Sequence, residues 1–396
     1  MFSQNKQLLE IKLPKEVLKP IRSMEQVFSA IWSNLYDPPD PWEKWIEGKL
    51  MQTMQIEMIS LEGMPHLYLR MEKGRRPAVE SSIYAQYPEA EITLVDDYAK
   101  KVPQDIPNKD WELWGTDYMV GKKDIYPLKT YSKFFEEQES LKEEKRVDPM
   151  STLLEGLAKF SQGEQLWIQI EIKPISTTKA WYEKDFVSEG RKEADKLAKR
   201  PEKSKPKSIL HEAFDELIYA KPAGVKEEVK QDLYPPEMKL TPGEKDIVSA
   251  IEEKVSKRCF MCWIRFIYLA KRDVYQGGAK AIPFGFFNQF STENLNQLRP
   301  YPPTLTKVKK SLFFFPNLIR LRRTWLKKRK LFFHYVNRWD PLFPKPSGKK
   351  EYFLLNTEEL ATIFHFPGKT AAPTPSTSRV ESKRGGAPMD LPVEEE

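Results

Sequence analysis

The sequence predicts an α+β protein: two split βαβ units in tandem, charged helices inserted in the second, and a disordered C-terminal tail. Three observations point there. The first hundred residues alternate between apolar periods of two and of 3.6 in the order β-α-β-β-α-β. A looser copy of the same plan begins at residue 148. Beyond residue 300 the composition turns basic and aromatic, then to proline, serine, threonine and charge.

Residues 8–13, LLEIKL, fit a short strand. Met24, Val27, Phe28, Ile31 and Leu35 then make one apolar stripe at helical spacing. DPPDP at 37–41 breaks it, because proline lacks an N–H and restricts the residue before it. Met54, Ile56 and Met58 alternate with Gln55 and Glu57. Glu62-Gly63 makes a turn, after which Leu67, Leu69 and Met71 alternate with His66, Tyr68 and Arg70. Residues 76–87 read as a helix, and AEITLV at 90–95 closes the unit. This is the ferredoxin-like order, assigned to residues 1–100. Two helices on one face leave the other face of its sheet free to pack.

Residues 101–147 read as a linker with an edge strand. A second ferredoxin-like domain is assigned to 148–299, interrupted by a helical and flexible insertion around 178–241. Its helix opens at Asp148-Pro-Met-Ser, with Met150, Leu153, Leu154 and Leu157 on one stripe. Leu166, Ile168, Ile170 and Ile172 mark the clearest strand, ended by Pro174. Residues 178–200 read as a charged helix, and PGEKD at 242–246 begins another. CFMCWIRFIYLA at 259–270 is apolar on both faces and reads as a central strand. Residues 300–366 hold the basic aromatic segment and a small α/β element. Residues 367–396 read as the disordered tail.

Composition narrows the class. The 396 residues are 40% apolar, enough for real cores, and 31% charged, with a mean hydropathy of -0.60. Cys259 and Cys262 are the two cysteines, so no disulfide scaffold is expected. No apolar run reaches the roughly 20 residues a membrane-spanning helix needs, and no signal-peptide pattern opens the chain.

Chemical motifs are weak. FPGKT at 366–370 imitates the end of a phosphate-binding loop, but Ile363 stands where the first glycine belongs. The Cys259–Cys262 spacing matches half of a zinc site, while His66, His211, His334 and His365 are scattered. Two buried thiols are the ordinary reading. Asp96-Asp97, Glu136-Glu137 and Glu358-Glu359 read as solvated surface or turn caps, since acid–base work needs two carboxyls in different environments. No catalytic residue, cofactor, metal or small-molecule substrate is assigned.

The stretch 307–330 is different. It holds Lys307, Lys309, Lys310, Arg320, Arg322, Arg323, Lys327, Lys328, Arg329 and Lys330 with no acid, against a net charge of +7 for the whole chain. Phe313, Phe314, Phe315, Leu318, Leu321, Trp325 and Leu326 are interleaved. Together with Trp325 these cations are the candidate contact surface. An anionic membrane, nucleic-acid phosphates or a protein partner would each suit it, and a solvated charge run is the ordinary alternative. Pro316 forbids one continuous helix.

Several strings carry a resemblance. SSIYAQYPEAEITLVDDY at 81–98, YPLKTYSKF at 126–134, DPMSTLLEGLAKFSQGEQLWIQIEIKPI at 148–175 and SAIEEKVSKRCF at 249–260 are four. FGFFNQFSTENLN at 284–296, FHYVNRWDPLF at 333–343, YFLLNTEELATIFHFPG at 352–368 and RVESKRGGAPMDLP at 379–392 are the others. They resemble a family of uncharacterised bacterial proteins common in the candidate phyla. That region resembles the part N-terminal to the motor domain in type IV secretion and conjugative-transfer coupling ATPases. The long relatives begin with membrane spans and continue into a Walker A loop and motor, neither of which this sequence displays. The resemblance implies a non-enzymatic accessory or regulatory module. Its partner would be a translocation ATPase or another membrane-complex protein, and its place the cytoplasmic side, peripheral at the inner face of the membrane. A nucleic-acid-binding protein using 307–330 and a peripheral membrane scaffold are the alternatives.

Overall fold

A computed structural model describes residues 6–13, 19–49, 51–133, 148–176, 185–198, 200, 240–310, 312, 317–339 and 352–367. Of the expected insertion around 178–241, residues 201–239 lie outside them, as do residues 368–396 of the expected tail. The first half contains β1 (Lys6–Lys12), α1 (Ile21–Leu35), α2 (Pro41–Trp45), β2 (Met54–Leu61), β3 (Met64–Glu72), α3 (Arg76–Tyr84) and β4 (Glu91–Val95). The second contains β5 (Trp111–Val120), α4 (Pro149–Leu157), β6 (Glu164–Pro174), α5 (Phe186–Leu197), α6 (Pro242–Ser256), β7 (Cys259–Lys271), α7 (Ala281–Asn288) and β8 (Leu298–Pro300). The C-terminal elements are α8 (Arg320–Val336), β9 (Phe353–Asn356) and α9 (Thr357–Ile363).

Local chemistry accounts for many boundaries. Glu62 at φ 53° and Gly63 at φ 87° form the two-residue β2–β3 turn, whose left-handed backbone matches the strand twist. Thr241 caps α6 in a reciprocal capping box with Glu244, and Pro242 takes the position where a missing N–H costs nothing. Asp148 caps α4 through the Met150 N–H.

The strands form one continuous sheet in the order β4-β1-β3-β2-β6-β7-β5-β8, with β9 also paired to β7. β2 and β6 join the halves antiparallel, from Met54 opposite Ile172 to Leu61 opposite Gln165. Outward from that contact, each half runs second, third, first and fourth strand in its own chain order.

The segment expected to carry an edge strand, 101–147, instead contributes β5, which lies inside the sheet. β7 pairs with Trp111–Asp117, and β8 pairs with Tyr118–Val120. On its far side the Gly115 and Asp117 N–H groups donate to the hydroxyls of Thr306 and Thr304. A strand whose backbone groups are met on both sides is no edge.

One sheet face is apolar and carries α1, α3, α4, α7 and α9 over Leu9, Ile56, Met58, Leu69, Ile168, Ile170, Phe266 and their neighbours. The opposite face is partly covered rather than free. The turn Tyr98–Lys101 and the C-terminal half of α8 pack there over Tyr68, Trp167, Ile267 and Leu269. α5 and α6 make a smaller core with Ile125 and Cys259.

α8 packs on β5 at Gly115, where an added Cβ would meet the Phe266 carbonyl oxygen and Ile267 of β7 and Leu331 of α8. Gly115→Val is therefore expected to destabilise the protein by about 1–3 kcal/mol, read as a lower urea midpoint. The loss should be accompanied by faster amide exchange in α8.

Candidate functional site

The basic segment divides into two parts. Lys307, Lys309 and Lys310 are exposed in an irregular stretch, and Arg320 opens α8 half-buried. Phe313–Pro316 lie outside the described residues. Lys328 pairs with Glu112 at 2.8 Å. Lys327 donates to the Leu305 carbonyl at 3.2 Å, and burial lowers its pKa, helped by Arg323. The Trp325 indole N–H donates to the Pro107 carbonyl at 3.3 Å, and Arg329 donates to that of Asp105 at 3.2 Å. These residues fasten α8 to β5, to the loop before it and to the segment after β8. The sequence placed them all on the contact surface; Trp325, Lys327, Lys328 and Arg329 hold the helix in place.

The outward face of α8 is mixed. Arg322, Arg323 and Lys330 are exposed there, together with Leu318 at 68%, Leu321 at 73%, Leu326 at 50% and Phe333 at 49%; Arg329 is exposed at its edge while bonded to Asp105. Positions 318, 322, 326, 329 and 333 follow one helical stripe. Apolar and cationic side chains are therefore mixed on the outward surface of a helix whose other side is bonded to the fold.

The C-terminal end of α8 anchors through Arg338. Its backbone sits at φ 50°, a left-handed position where glycine or asparagine is usual. The guanidinium, almost fully buried, meets Glu57 at 3.0 Å and Asp97 at 2.6 Å. Glu57 also accepts from the Tyr98 hydroxyl at 2.8 Å and from Gln169 Nε2 at 2.7 Å. Burial works to raise the Asp97 pKa, but hydrogen bonding and charge from Arg338 outweigh it and hold the carboxyl below its ordinary value. Sequence reading missed this network. Its one visible trace was Glu57 on the polar side of an alternating strand, and nothing local tied it to position 338.

Beside the network lies an open groove of about 1160 Å³ on the uncovered part of the second face. β1, β3 and β4 supply its floor, and residues 96–104 with Val336 and Asn337 its wall. His66 Nδ1 lies 2.6 Å from Glu10, and that hydrogen bond lowers the Glu10 pKa. His66, Tyr68 and Tyr98 stack in series, with centroids 5.6 and 5.4 Å apart.

The other motifs resolve as follows. Cys259 and Cys262 are both buried and lie in different clusters, and burial pushes the Cys259 thiol up to about 12. Glu358 and Glu359, expected on solvated surface, are buried. Their helix α9 is enclosed on every side, so Lys257 meets Glu358 at 2.7 Å and Lys254 meets Glu359 at 3.1 Å. Burial raises the Glu359 pKa despite that partner. Glu136-Glu137, His211 and Gly368–Thr370 lie outside the described residues. Among the described residues no three of His, Cys, Asp and Glu are grouped to hold a metal ion, and no helix is long and apolar enough to cross a membrane.

Fold and site together define a mixed α+β protein built on an antiparallel sheet with a buried ionic clasp and a basic amphipathic helix. The chain belongs to the family described as "Domain of unknown function (DUF8128)", which matches residues 44–378. A comparison with curated proteins gave no match.

Arg338→Met should cost about 3–5 kcal/mol, because Glu57 then stays buried without its cation. Adding Glu57→Gln should recover part of that loss in urea denaturation. The pH profile has a definite sign. Asp97, Glu10 and Glu358 have folded pKa values below the ordinary 3.8 and 4.5. Their contribution is complete above the ordinary values and is lost as pH falls through the folded ones. Glu359, raised by burial, acts oppositely above pH 4.5. The melting temperature is expected to decline below about pH 4, measured by circular dichroism.

Proposed function

We propose that this chain is a non-enzymatic accessory module of a membrane-associated translocation ATPase of the type IV secretion or conjugation kind. It sits at the inner face of the cell membrane and presents α8 to anionic lipid. The strand order supports reading the sheet as two ferredoxin-like units joined through their second strands. Fold alone does not select a function, so the reading rests on the surface and on the sequence resemblance.

The observation that carries it is the outer face of α8. Leu318, Leu321, Leu326 and Phe333 are exposed among Arg322, Arg323 and Lys330. Apolar side chains enter the headgroup boundary while cations stay with the lipid phosphates, each contributing about 1 kcal/mol. The preceding cations Lys307, Lys309 and Lys310 extend the same charge. A nucleic-acid contact would use the cations but leave the exposed leucines in water.

Co-sedimentation with vesicles containing phosphatidylserine tests the lipid contact. Binding should exceed that to phosphatidylcholine vesicles. It should fall on the order of a hundredfold in the combined Arg322→Glu, Arg323→Glu, Lys330→Glu variant, which leaves the inward contacts intact. Equal sedimentation with both lipids would remove the membrane part of the proposal. Use of the chain as bait in a membrane fraction should retain an ATPase; recovery of the chain alone would remove the partner part.

A further inference from the structure

We propose that the groove between β1, β3, β4 and the Tyr98–Lys101 turn is a docking site for an acidic, aliphatic peptide segment of a partner protein. It is distinct from the lipid-facing side of α8, and it stands on charge and on the character of its lining.

Its acids are largely paired within the fold. Glu10 is hydrogen-bonded to His66, and Asp97 is clasped by Arg338. Asp96 is exposed at the rim. Three of the cations are in the opposite condition. Arg70 is half-buried in the floor, on the strand position opposite Leu8 and next to the Arg338 charge. Among the described residues it has neither a hydrogen-bond nor an ion-pair partner; burial, followed by Arg338, lowers its pKa, against the more distant attraction of Glu57, Asp97 and Glu171. Lys100 and Lys101 project from the wall, also without such partners among the described residues. Lys6, at the end of β1, adds positive charge to the rim while donating to the Thr53 hydroxyl at 3.1 Å. A guanidinium that lines an open groove and makes no direct contact with any of the fold's carboxylates can take one from outside, and its planar fork matches that group.

The lining selects among anions. Met64 and Leu94 are more than half exposed, and Leu61 and Val95 are partly so, giving aliphatic contacts beside the charges. The two tyrosines of the lining, Tyr68 and Tyr98, are buried in their own stack and offer no free ring face. A nucleobase needs such a face, and single-stranded nucleic acid binds largely through it. The volume exceeds that of ordinary small-molecule pockets and suits an extended segment of several residues.

The test is fluorescence anisotropy on the full chain with a labelled peptide of alternating leucine and glutamate. Binding is expected, weakening with salt, while the peptide with lysine in place of glutamate should not bind. Arg70→Gln should reduce affinity at least tenfold without lowering the melting temperature. Should that variant fail to fold, Lys100→Glu with Lys101→Glu lies on exposed surface and must give the same reduction. The Arg322→Glu, Arg323→Glu, Lys330→Glu variant should bind the peptide normally, which separates failure here from failure of the lipid contact. Equal binding of both peptides, indifference to the groove variants, or displacement by an oligothymidylate would overturn the proposal.

Discussion

The pairing of β2 with β6 turns two short sheets into one, and the rest of the molecule is arranged around it. Gln55–Leu61 is flanked on one side by β3 and on the other by β6, and its N–H and C=O groups point to the two in turn. Neither strand can leave without exposing unpaired amides, so the halves are bound as parts of one structure. The junction also sets the register. Ile56 faces Ile170 and Met58 faces Ile168, which directs both strands' apolar sets to the same core.

On the reverse side the same register places Glu57 opposite Gln169, in the middle of the sheet. A carboxylate there must be satisfied, and Arg338 reaches it from the end of α8. Burying this pair is costly, and an apolar substitute could be as stable. What the clasp does is hold one helix in one place: α8 is tied at Arg338, at Lys328 and at Trp325. Rigid placement lets its other side remain a mixture of leucine and arginine without collapsing onto the sheet. The helix also leaves the β1–β3–β4 end of the face open, and the groove is the uncovered remainder.

β9 and α9 show the same dependence on distant partners. β9 takes the first residues of β7, Cys259–Cys262, on the side that β5 occupies farther along. α9 then enters against α1 with all of its residues buried. Its two glutamates are tolerated because Lys254 of α6 and Lys257, the C-cap residue after it, meet them. A carboxyl pair beside a polar turn looks like surface, and only the enclosure of the helix reverses that reading.

Periodicity by itself determined most of the elements. The Met24–Leu35 stripe, the Glu62-Gly63 turn, the Leu166–Ile172 alternation and the two-sided apolar run of β7 each report local geometry, since helix and strand periods depend only on nearby residues. The basic composition of 307–330 was equally plain. Tertiary structure alone decided that β5 is interior, that part of the basic helix is an anchor, that Glu57, Asp97 and Arg338 share a site, and that Arg70 faces a groove unpaired. Those facts join residues far apart in the chain. Pairing between strands and between buried charges is set by three-dimensional proximity, which one sequence does not encode in any local pattern.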